Sequence, residues 1–406
     1  MRRRDVLVGL SLATVASSLV QAETAPFEPL GWAARTPGGK GGRVLRVTSL
    51  ASNGPGSFRE AAMAKGPRTI VFDVAGIIDL GRHSIKITEP FVTVSGETAP
   101  SPGVTFIRGG IAIETHDVIV RHIRVRAGRD GAPSRSGWEV DGITTWRAAD
   151  VIIDHCSVSW ATDENLTASG PRFEGGEDVK AWREGTSHRI TFSNNIVAEG
   201  LSNASHVKGE HSKGSLIHDN ATEVLIVGNL YAHNRERNQL FKGGVHAVSV
   251  NNFIYDPGTR AMHYALNAVE WVGHYWQRGQ LALVGNVIRG GRSTRPDLPF
   301  LIVEGEGDLD LYAHDNVATY ADGRSMPPLR VLPTKPLPTV KSLEKPPLWP
   351  KGLKVLKSGQ VEARVLTQAG ARPWERDKID LRIIDQVRNG TGGVIDDEAE
   401  VGGYPR

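Results

Sequence analysis

Acidic and basic side chains recur together in the middle of this chain. The acidic set is Glu139, Asp141, Asp163 and Glu164, and the basic set is Lys213, Arg235 and Arg237. Carboxylates suit a hard cation such as calcium, whereas lysine and arginine pair with the carboxylates of a ligand. The combination therefore indicates a site that holds an acidic substrate, such as an acidic polysaccharide, through a metal ion and through direct charge pairing.

The amino terminus has the three parts of a cleaved export signal. Arg2-Arg3-Arg4 precedes an apolar run over residues 8–20, and Val20-Gln21-Ala22 has the form of a cleavage site. We therefore predict that residues 1–22 are a signal peptide and that the mature chain is secreted or periplasmic. The paired arginines resemble a twin-arginine leader, although a general secretory signal would look much the same. No stretch approaches the roughly 18 uninterrupted apolar residues that a membrane span needs.

The composition of the mature chain limits what stabilises it and what it binds. The single cysteine, Cys156, excludes an intramolecular disulfide, so stability must come from the core and from any bound metal. Removing the leader takes away three arginines and one aspartate and lowers the formal net charge from +3 to +1. Net charge therefore cannot explain an acidic ligand, and the local cluster must do so. We expect no nucleic-acid partner, no membrane span and a monomer.

Short β-branched segments repeat along the chain from about Arg43 to Thr319. Each is followed by a small or polar residue and then by another short apolar run. The recurrent asparagines Asn195, Asn229, Asn252, Asn286 and Asn316 are 34, 23, 34 and 30 residues apart. This spacing is irregular for a propeller but natural for coils with loops of variable length, in which stacked Asn side chains form ladders. The pattern predicts an all-β fold, a right-handed parallel β-helix.

An antiparallel sandwich or barrel is the alternative fold, because its strands also alternate and end at Gly or Asn. Such a fold would use tight Asn-Gly or Asp-Gly hairpin turns between adjacent strands, and these are mostly missing. The repeat therefore favours the solenoid. The N-terminal end of a solenoid needs a cap, and Ser57-Phe58-Arg59-Glu60 is a capping box that opens a short helix through Ala64.

The composition changes after about Gly323. Eight prolines lie between Pro327 and Pro350, a density that excludes a continuing ladder of strands and indicates an extended wrap. Apolar residues at helical spacing over 377–388 predict an amphipathic helix laid on the solenoid. We therefore divide the mature chain into a β-helix domain, residues 23–325, and a wrapping tail, residues 326–406.

Several segments together resemble one known family. They are Gly41-Gly42-Arg43-Val44, Gly54-Pro55-Gly56-Ser57-Phe58-Arg59-Glu60, Val140-Asp141-Gly142-Ile143, Ile153-Asp154-His155-Cys156-Ser157, Trp160-Ala161-Thr162-Asp163-Glu164-Asn165, Lys213 with Leu216-Ile217, Arg237-Asn238, and Glu400-Val401-Gly402-Gly403-Tyr404-Pro405. The combination resembles pectate lyases of polysaccharide lyase family 1 and covers nearly the whole mature chain. The resemblance implies calcium-dependent β-elimination on polygalacturonate or pectin, which leaves an unsaturated sugar.

The resemblance also implies roles for individual residues. The expected calcium ligands are Glu139, Asp141 and Asp163, the expected substrate-binding residues are Lys213 and Lys242, and the expected base is Arg237. Arg235 is a further expected substrate-binding residue, because it stands two residues before Arg237 and could lie on the same face. The base would remove the proton at C5, alpha to the uronate carboxylate. An arginine is almost never neutral, because its pKa exceeds about 12. A base of this kind therefore predicts an alkaline activity optimum.

The chain departs from the family pattern at three positions. Thr167 replaces an aspartate, which implies a weaker or purely substrate-assisted calcium site, and Gln239 and Lys242 replace a proline and an arginine. Glu164 is a nearby carboxylate that could compensate. Adjacent residues of an extended strand point to opposite faces, however, so we do not expect Asp163 and Glu164 to share one ion.

Two other functions remain open at this point. A β-helix hydrolase could use paired carboxylates such as Glu139 with Asp141 or Asp163, and a non-catalytic β-helix could hold glycan without turnover. Fold alone cannot separate them, because β-helices host several chemistries. His206, His211 and His218 lack the spacing of a zinc site, and we expect such histidines to cap turns or line the groove.

Overall fold

Three parallel sheets run along the molecule. The computed structural model describes residues 27–405, and the predicted signal peptide over 1–22 lies outside them. Every pair of neighbouring strands in the three sheets is parallel, and each strand follows the strand of the preceding coil. Within residues 27–405, no helix is both long enough and apolar enough to span a membrane.

The strands are numbered in chain order. Sheet 1 contains β1 (Arg43–Val47), β2 (Arg68–Phe72), β5 (Val92–Ser95), β8 (His116–Arg121), β11 (Ala149–Asp154), β14 (His188–Ser193), β17 (Thr222–Val227), β20 (His246–Val250), β23 (Gly279–Val284), β26 (Leu309–His314) and β29 (Val340–Ser342). Sheet 2 contains β4 (Ile85–Ile87), β7 (Ile111–Ile113), β10 (Ile143–Trp146), β13 (Glu164–Ser169), β16 (Lys213–Ile217), β19 (Glu236–Lys242), β22 (Met262–Leu266), β25 (Leu301–Gly305) and β28 (Leu329–Val331). Sheet 3 contains β3 (Gly76–Asp79), β6 (Val104–Ile107), β9 (Arg124–Arg126), β12 (Ser157–Ser159), β15 (Ile196–Ala198), β18 (Leu230–Ala232), β21 (Phe253–Tyr255), β24 (Val287–Arg289) and β27 (Val317–Thr319).

The interior is a continuous stack of apolar side chains. In sheet 1, Val151, Ile190 and Val224 are paired in register on successive coils, and none of them is exposed to solvent. Burying such a side chain contributes roughly 1.5–3 kcal/mol relative to leaving it exposed. One coil cannot bury its own inner face, so the coils stabilise one another by stacking. The predicted right-handed parallel β-helix is confirmed.

An asparagine ladder marks the turn between sheets 1 and 3. The backbone N–H of Asn195 donates to the side-chain oxygen of Asn229 at 2.8 Å, and that of Asn229 donates to Asn252 at 3.0 Å. Asn252 and Asn286 continue the pattern to Asn316. Each side chain satisfies a buried backbone donor of the preceding coil, as the spacing of the asparagines predicts.

The first helix lies at the N-terminal end of the solenoid, and the last two lie against sheet 3. They are α1 (Phe58–Met63), α2 (Val179–Gly185), α3 (Ser358–Gln368) and α4 (Lys378–Asn389), with short 3₁₀ turns at Trp32–Arg35, Gly96–Thr98, Ala268–Glu270 and Glu398–Val401. The predicted N-terminal cap α1 is confirmed, and its Ser57 hydroxyl accepts from the N–H of Glu60 at 3.2 Å. The Glu60 carboxylate accepts from the N–H of Gly56.

The proline-rich segment continues the sheets, so the expectation that the strand ladder stops there is wrong. Strands β28 and β29 pair with β25 and β26. Proline lacks an N–H but keeps its carbonyl, and the carbonyls of Pro327 and Pro328 accept from Phe300 and Leu301 of the preceding coil. The prolines therefore serve as acceptors at the edge, where a missing donor is tolerated.

The C-terminal helix α4 packs on sheet 3, and the predicted amphipathic helix is confirmed. Asp377 caps its first turn, and Ile383, Ile384 and Val387 are buried in a cluster with side chains of sheet 3. Its Asp380 is fully buried and pairs with Arg126 of β9. Helices α2 and α3 lie in segments for which the sequence predicts no helix.

Candidate active site

Four neighbouring strands of sheet 2 bring most of the candidate residues together. Strands β10, β13, β16 and β19 are consecutive in that sheet. Glu164 and Lys213, the first residues of β13 and β16, are paired in register, and Glu236 of β19 follows in the same row. Because neighbouring strands lie about 4.8 Å apart, side chains in one row can reach a single ligand.

Three carboxylates converge at this end of the strands. One oxygen of each of Asp141, Asp163 and Glu164 lies within 4.8 Å of the other two. The N–H of Glu164 donates to Oδ1 of Asp141 at 3.1 Å, which holds the loop before β10 against the start of β13. Calcium binds roughly six to eight oxygens at about 2.3–2.6 Å, so oxygens on one ion are at most about 5 Å apart. The three carboxylates fit a calcium ion.

The expectation that Asp163 and Glu164 diverge is wrong. Strand β13 begins at Glu164, so Asp163 lies in the preceding bend and does not follow the alternation of a strand. Glu164 therefore supplies a third carboxylate in a chain that has Thr167 at a position where the resemblance implies aspartate. Thr167 is buried, and its hydroxyl has no hydrogen-bond partner among the described residues.

Two of the three crowded carboxylates, Asp141 and Glu164, resist ionisation. Burial, with the charges of Glu164 and Asp163, raises the pKa of Asp141 well above its ordinary value. Burial raises the pKa of Glu164 to about 7 despite the opposing charge of Arg237. Burial also acts to raise the pKa of Asp163, but Lys213, a hydrogen bond with Glu164 and two nearby histidines outweigh it, so that this pKa is lowered. A bound cation would relieve the repulsion among the ionised groups.

Lys213 and Arg237 contact the carboxylates directly. The Nζ of Lys213 lies 3.4 Å from Oδ1 of Asp163 and 3.6 Å from Oε1 of Glu164. Lys213 is only 5% exposed, and burial lowers its pKa. The guanidinium of Arg237 donates to the carboxylate of Glu164. Two of the sequence-predicted cations therefore meet the predicted ligand Asp163 and its neighbour Glu164.

Strand β19 is irregular where it carries Arg237. The φ angle of Arg237 is +53°, and that of Gln239 is +132°. The pairing of β16 with β19 shifts register between Ser215 and Leu216. Non-glycine residues at positive φ store backbone strain of about 1–3 kcal/mol and cluster at functional sites, and bulges redirect side chains next to such sites.

Arg235 and Lys242 have carboxylate partners outside the cluster. Nη1 of Arg235 lies 2.6 Å from Oε2 of Glu210, in the segment before β16. The Nζ of Lys242 pairs with Glu270, in the segment after β22. To bind a uronate, Arg235 would have to share or break its ion pair with Glu210, and Lys242 its ion pair with Glu270. Their substrate-binding roles therefore stay predictions.

Glu139 shares a cleft with the cluster but is not one of the three converging carboxylates. It lies with Asp141 and Asp163 on the wall of a cleft of about 330 Å³. Its side chain is 37% exposed, and its Oε1 lies 3.4 Å from Nδ1 of His206. A role as calcium ligand would require Glu139 to move towards Asp141.

The sequence does not predict two features of this site. Glu164 joins the carboxylates, and His206 and His211 converge on Asp163. The available signal was proximity in sequence, because Glu164 follows a predicted ligand and His211 stands two residues before the predicted substrate lysine, Lys213.

Comparisons with known proteins identify the family. No protein-family model matches the chain. A probable pectate lyase C from Emericella nidulans is 30% identical over 377 residues, which cover 92% of this chain and 78% of the relative. The chain belongs to the pectate lyases of polysaccharide lyase family 1. A second probable pectate lyase C, from Aspergillus terreus, is 30% identical over 382 residues, covering 92% of this chain and 80% of the relative.

Solved structures agree with the observed fold. The major cedar pollen allergen Jun a 1 has a TM-score of 0.59 at 16% identity and covers 84% of this chain and 92% of its own. Pectate lyase II from Xanthomonas campestris has a TM-score of 0.53 at 14% identity and covers 86% of this chain and 100% of its own. At these identities the likeness shows the β-helix fold, and family membership makes the protein a polysaccharide lyase with pectate lyase function.

Proposed function

We propose that the protein cleaves α-1,4-linked polygalacturonate by calcium-dependent β-elimination and releases unsaturated oligogalacturonates. The observation that carries this proposal is the convergence of Asp141, Asp163 and Glu164 with Lys213 and Arg237 at one end of sheet 2. Such an arrangement pairs a cation site with direct contacts for a carboxylate ligand. We further propose that the leader exports the protein to the place where its polymeric substrate occurs.

The three converging carboxylates would hold the calcium ion. When bound, calcium supplies positive charge that neutralises the uronate carboxylate and stabilises the negative charge developing there as the C5 proton leaves. Glu164 occupies the cluster in place of the missing carboxylate at Thr167, so the proposed site does not depend on substrate alone. Lys213, buried beside Asp163, would bind a uronate carboxylate through a charge-assisted hydrogen bond.

Arg237 is the proposed base. A guanidine nitrogen accepts the C5 proton, the C5–H electron pair forms the C4–C5 double bond, and the C4–O bond breaks. The departing oxygen then takes a proton from water. In the described structure Arg237 is paired with Glu164, and a paired guanidinium has no lone pair for a proton. The base function therefore requires this pair to open and the guanidinium to lose a proton, which predicts higher turnover at alkaline pH.

The contacts favour free carboxylates over methyl esters. Lys213 gains a charge-assisted hydrogen bond only from an ionised uronate, and an ester removes that charge. We therefore propose polygalacturonate rather than highly methylated pectin as the preferred substrate.

Ultraviolet absorbance of polygalacturonate incubated with the mature protein tests this function. An unsaturated product absorbs, whereas a hydrolytic product does not. We expect absorbance to rise with calcium, to stop in chelator and to be lost in Arg237→Ala. The matched control is Arg330→Ala, because Arg330 lies on β28 of the same sheet, three strands beyond β19, and pairs with Asp297.

The controls separate the alternatives. New reducing ends without absorbance would show hydrolysis, and absorbance that persists in Arg237→Ala would exclude Arg237 as the base. Absorbance that persists in chelator would exclude calcium dependence. Binding of polygalacturonate with neither signal would leave a glycan-binding protein.

A further inference from the structure

Two histidines converge on Asp163 from the segment between β15 and β16. His206 is 2% exposed and His211 is 3% exposed, and their rings stack with centroids 3.5 Å apart. The Nε2 of His206 lies 3.6 Å from Oδ2 of Asp163, and the Nε2 of His211 lies 3.6 Å from Oδ1. These distances are too long for hydrogen bonds. One candidate ligand atom from each of the three side chains lies within 4.8 Å of the other two.

The tautomer of His211 leaves an unused lone pair on Nε2, the ring nitrogen that faces Asp163. Its Nδ1 lies 3.2 Å from the carbonyl oxygen of Gly209 and 3.0 Å from that of Glu210. Carbonyl oxygens only accept, so Nδ1 carries the proton and Nε2 presents a lone pair. This Nε2 is buried and has no hydrogen-bond partner among residues 27–405. A cation between this lone pair and the Asp163 carboxylate would have a ligand atom on each side.

His206 has the second partner that a metal-bound histidine uses. Its Nδ1 lies 3.4 Å from Oε1 of Glu139, and metal-bound histidines commonly donate their other N–H to a carboxylate. In the described structure this Nδ1 accepts from the N–H of Lys208 at 3.1 Å. When Nε2 binds an ion, Nδ1 carries the proton and donates to Glu139. Lys208 is exposed, so water can accept the hydrogen bond that its N–H now donates to Nδ1 of His206.

We propose that Asp163, His206 and His211 form a binding site for a divalent transition-metal ion such as Co²⁺ or Zn²⁺, next to the proposed calcium site and sharing Asp163 with it. Imidazole nitrogens suit these ions, whereas calcium takes oxygen ligands. At metal–ligand distances of about 2.0–2.2 Å, the ligand atoms of a tetrahedral site lie about 3.4 Å apart. The observed separations of 3.6 Å from each Nε2 to Asp163 are close to this value.

Lys213 shares Oδ1 of Asp163 with the proposed ion but also has a second carboxylate partner. Its Nζ lies 3.4 Å from Asp163 but also 3.6 Å from Glu164, so it keeps a carboxylate partner when the ion binds. Asp163 would then link the histidine site to the carboxylate site and fix the segment that carries His206 and His211 over the cleft.

Binding of Co²⁺ to the chelator-treated mature protein tests the site without any polysaccharide. We expect one ion per chain and visible absorption bands typical of nitrogen ligation. His211→Gln should weaken binding by at least about 100-fold, beyond the roughly 10–100-fold typical of losing an outer partner. His116→Gln is the matched control, because His116 is half-exposed on sheet 1, and Asp141→Asn should leave the bands in place.

The outcomes separate this site from the proposed calcium site. Unchanged Co²⁺ affinity in His211→Gln, loss of the bands in Asp141→Asn alone, or no Co²⁺ bands at all would overturn the proposal. Tryptophan fluorescence reports whether each variant is folded, and His206→Gln replaces His211→Gln if the latter does not fold. A protein that lacks lyase activity but binds Co²⁺ through the histidines would refute the proposed function and retain this site.

Discussion

Replacing Glu164 by glutamine changes how the stability of the metal-free protein depends on pH. Glu164 is 4% exposed, and burial raises the pKa of its carboxyl from 4.5 to about 7. Glutamine has nearly the same shape but cannot ionise. The difference between the two proteins therefore isolates the cost of placing this charge in the cluster.

The sign follows from proton binding. Between pH 4.5 and 7 the unfolded chain releases the Glu164 proton while the folded protein keeps it, so the free energy of unfolding falls as pH rises. This loss of unfolding free energy is absent below pH 4.5 and complete above pH 7. Each pKa unit corresponds to about 1.4 kcal/mol, so a rise from 4.5 to about 7 amounts to about 3 kcal/mol. Asp141 has a raised pKa that depends partly on Glu164, and this contribution has the same sign.

Equilibrium urea unfolding in chelator measures this effect. Tryptophan fluorescence is a suitable signal because Trp160, Trp182 and Trp271 are fully buried. We expect the wild-type protein to lose about 3 kcal/mol more than Glu164→Gln between pH 4.5 and 7.5. If the free energies of unfolding of the two proteins change with pH by amounts that differ by less than about 1 kcal/mol over this range, the Glu164 carboxyl does not have a raised pKa. Calcium at pH 7.5 should restore stability to the wild-type protein more than to the variant.

Three further predictions concern the tail, the ladder and the reaction. Asp380→Ala should lower the free energy of unfolding by about 3–5 kcal/mol, because it leaves the buried charge of Arg126 without this carboxylate partner. Asp385→Ala, on the exposed face of α4, should have little effect in the same urea assay. Asn252→Ala should cost about 1–3 kcal/mol for each buried group left without a partner, and Asn316→Ala at the half-exposed end of the ladder should cost less, as thermal unfolding would show. Initial rates on polygalacturonate should increase from pH 7 towards alkaline pH, and maximal turnover near pH 5 would contradict an arginine base.

The regular part of the fold was predictable because each coil repeats the same local demands. Asparagine at one position of five successive turns and alternating β-branched segments predict a ladder and a stacked core, and both are present. The spacing of Ile383, Ile384 and Val387 likewise predicts α4. The strands β28 and β29 were not predictable from proline content, because a proline at an edge can still accept a hydrogen bond from the neighbouring coil.

Asp141, Asp163, Lys213 and Arg237 were predicted from the family resemblance, but their contacts with Glu164 were not. Lys213 and Glu164 meet because they open β16 and β13 in register. The inclusion of Glu164 with Asp163 depends on where β13 begins, and a shift of one residue in a strand reverses the face of its side chains. The approach of His206 and His211 depends on the path of a long loop, which local sequence patterns do not determine.

The candidate chemistry lies where the repeat is interrupted. Most neighbouring strands pair without a shift, and β8, β11, β14 and β17 each contain a single non-glycine residue at positive φ, but β19 contains two, Arg237 and Gln239, together with a register shift against β16. A regular strand would place Arg237 by simple alternation, whereas the irregular backbone brings its guanidinium to Glu164 on β13, two strands away. The long stack of regular coils on both sides can hold this strained strand in place, because its cost of about 1–3 kcal/mol per strained residue is small beside the burial of many apolar side chains. A rigid solenoid thus supports a local distortion in the strand that positions Arg237 against Glu164.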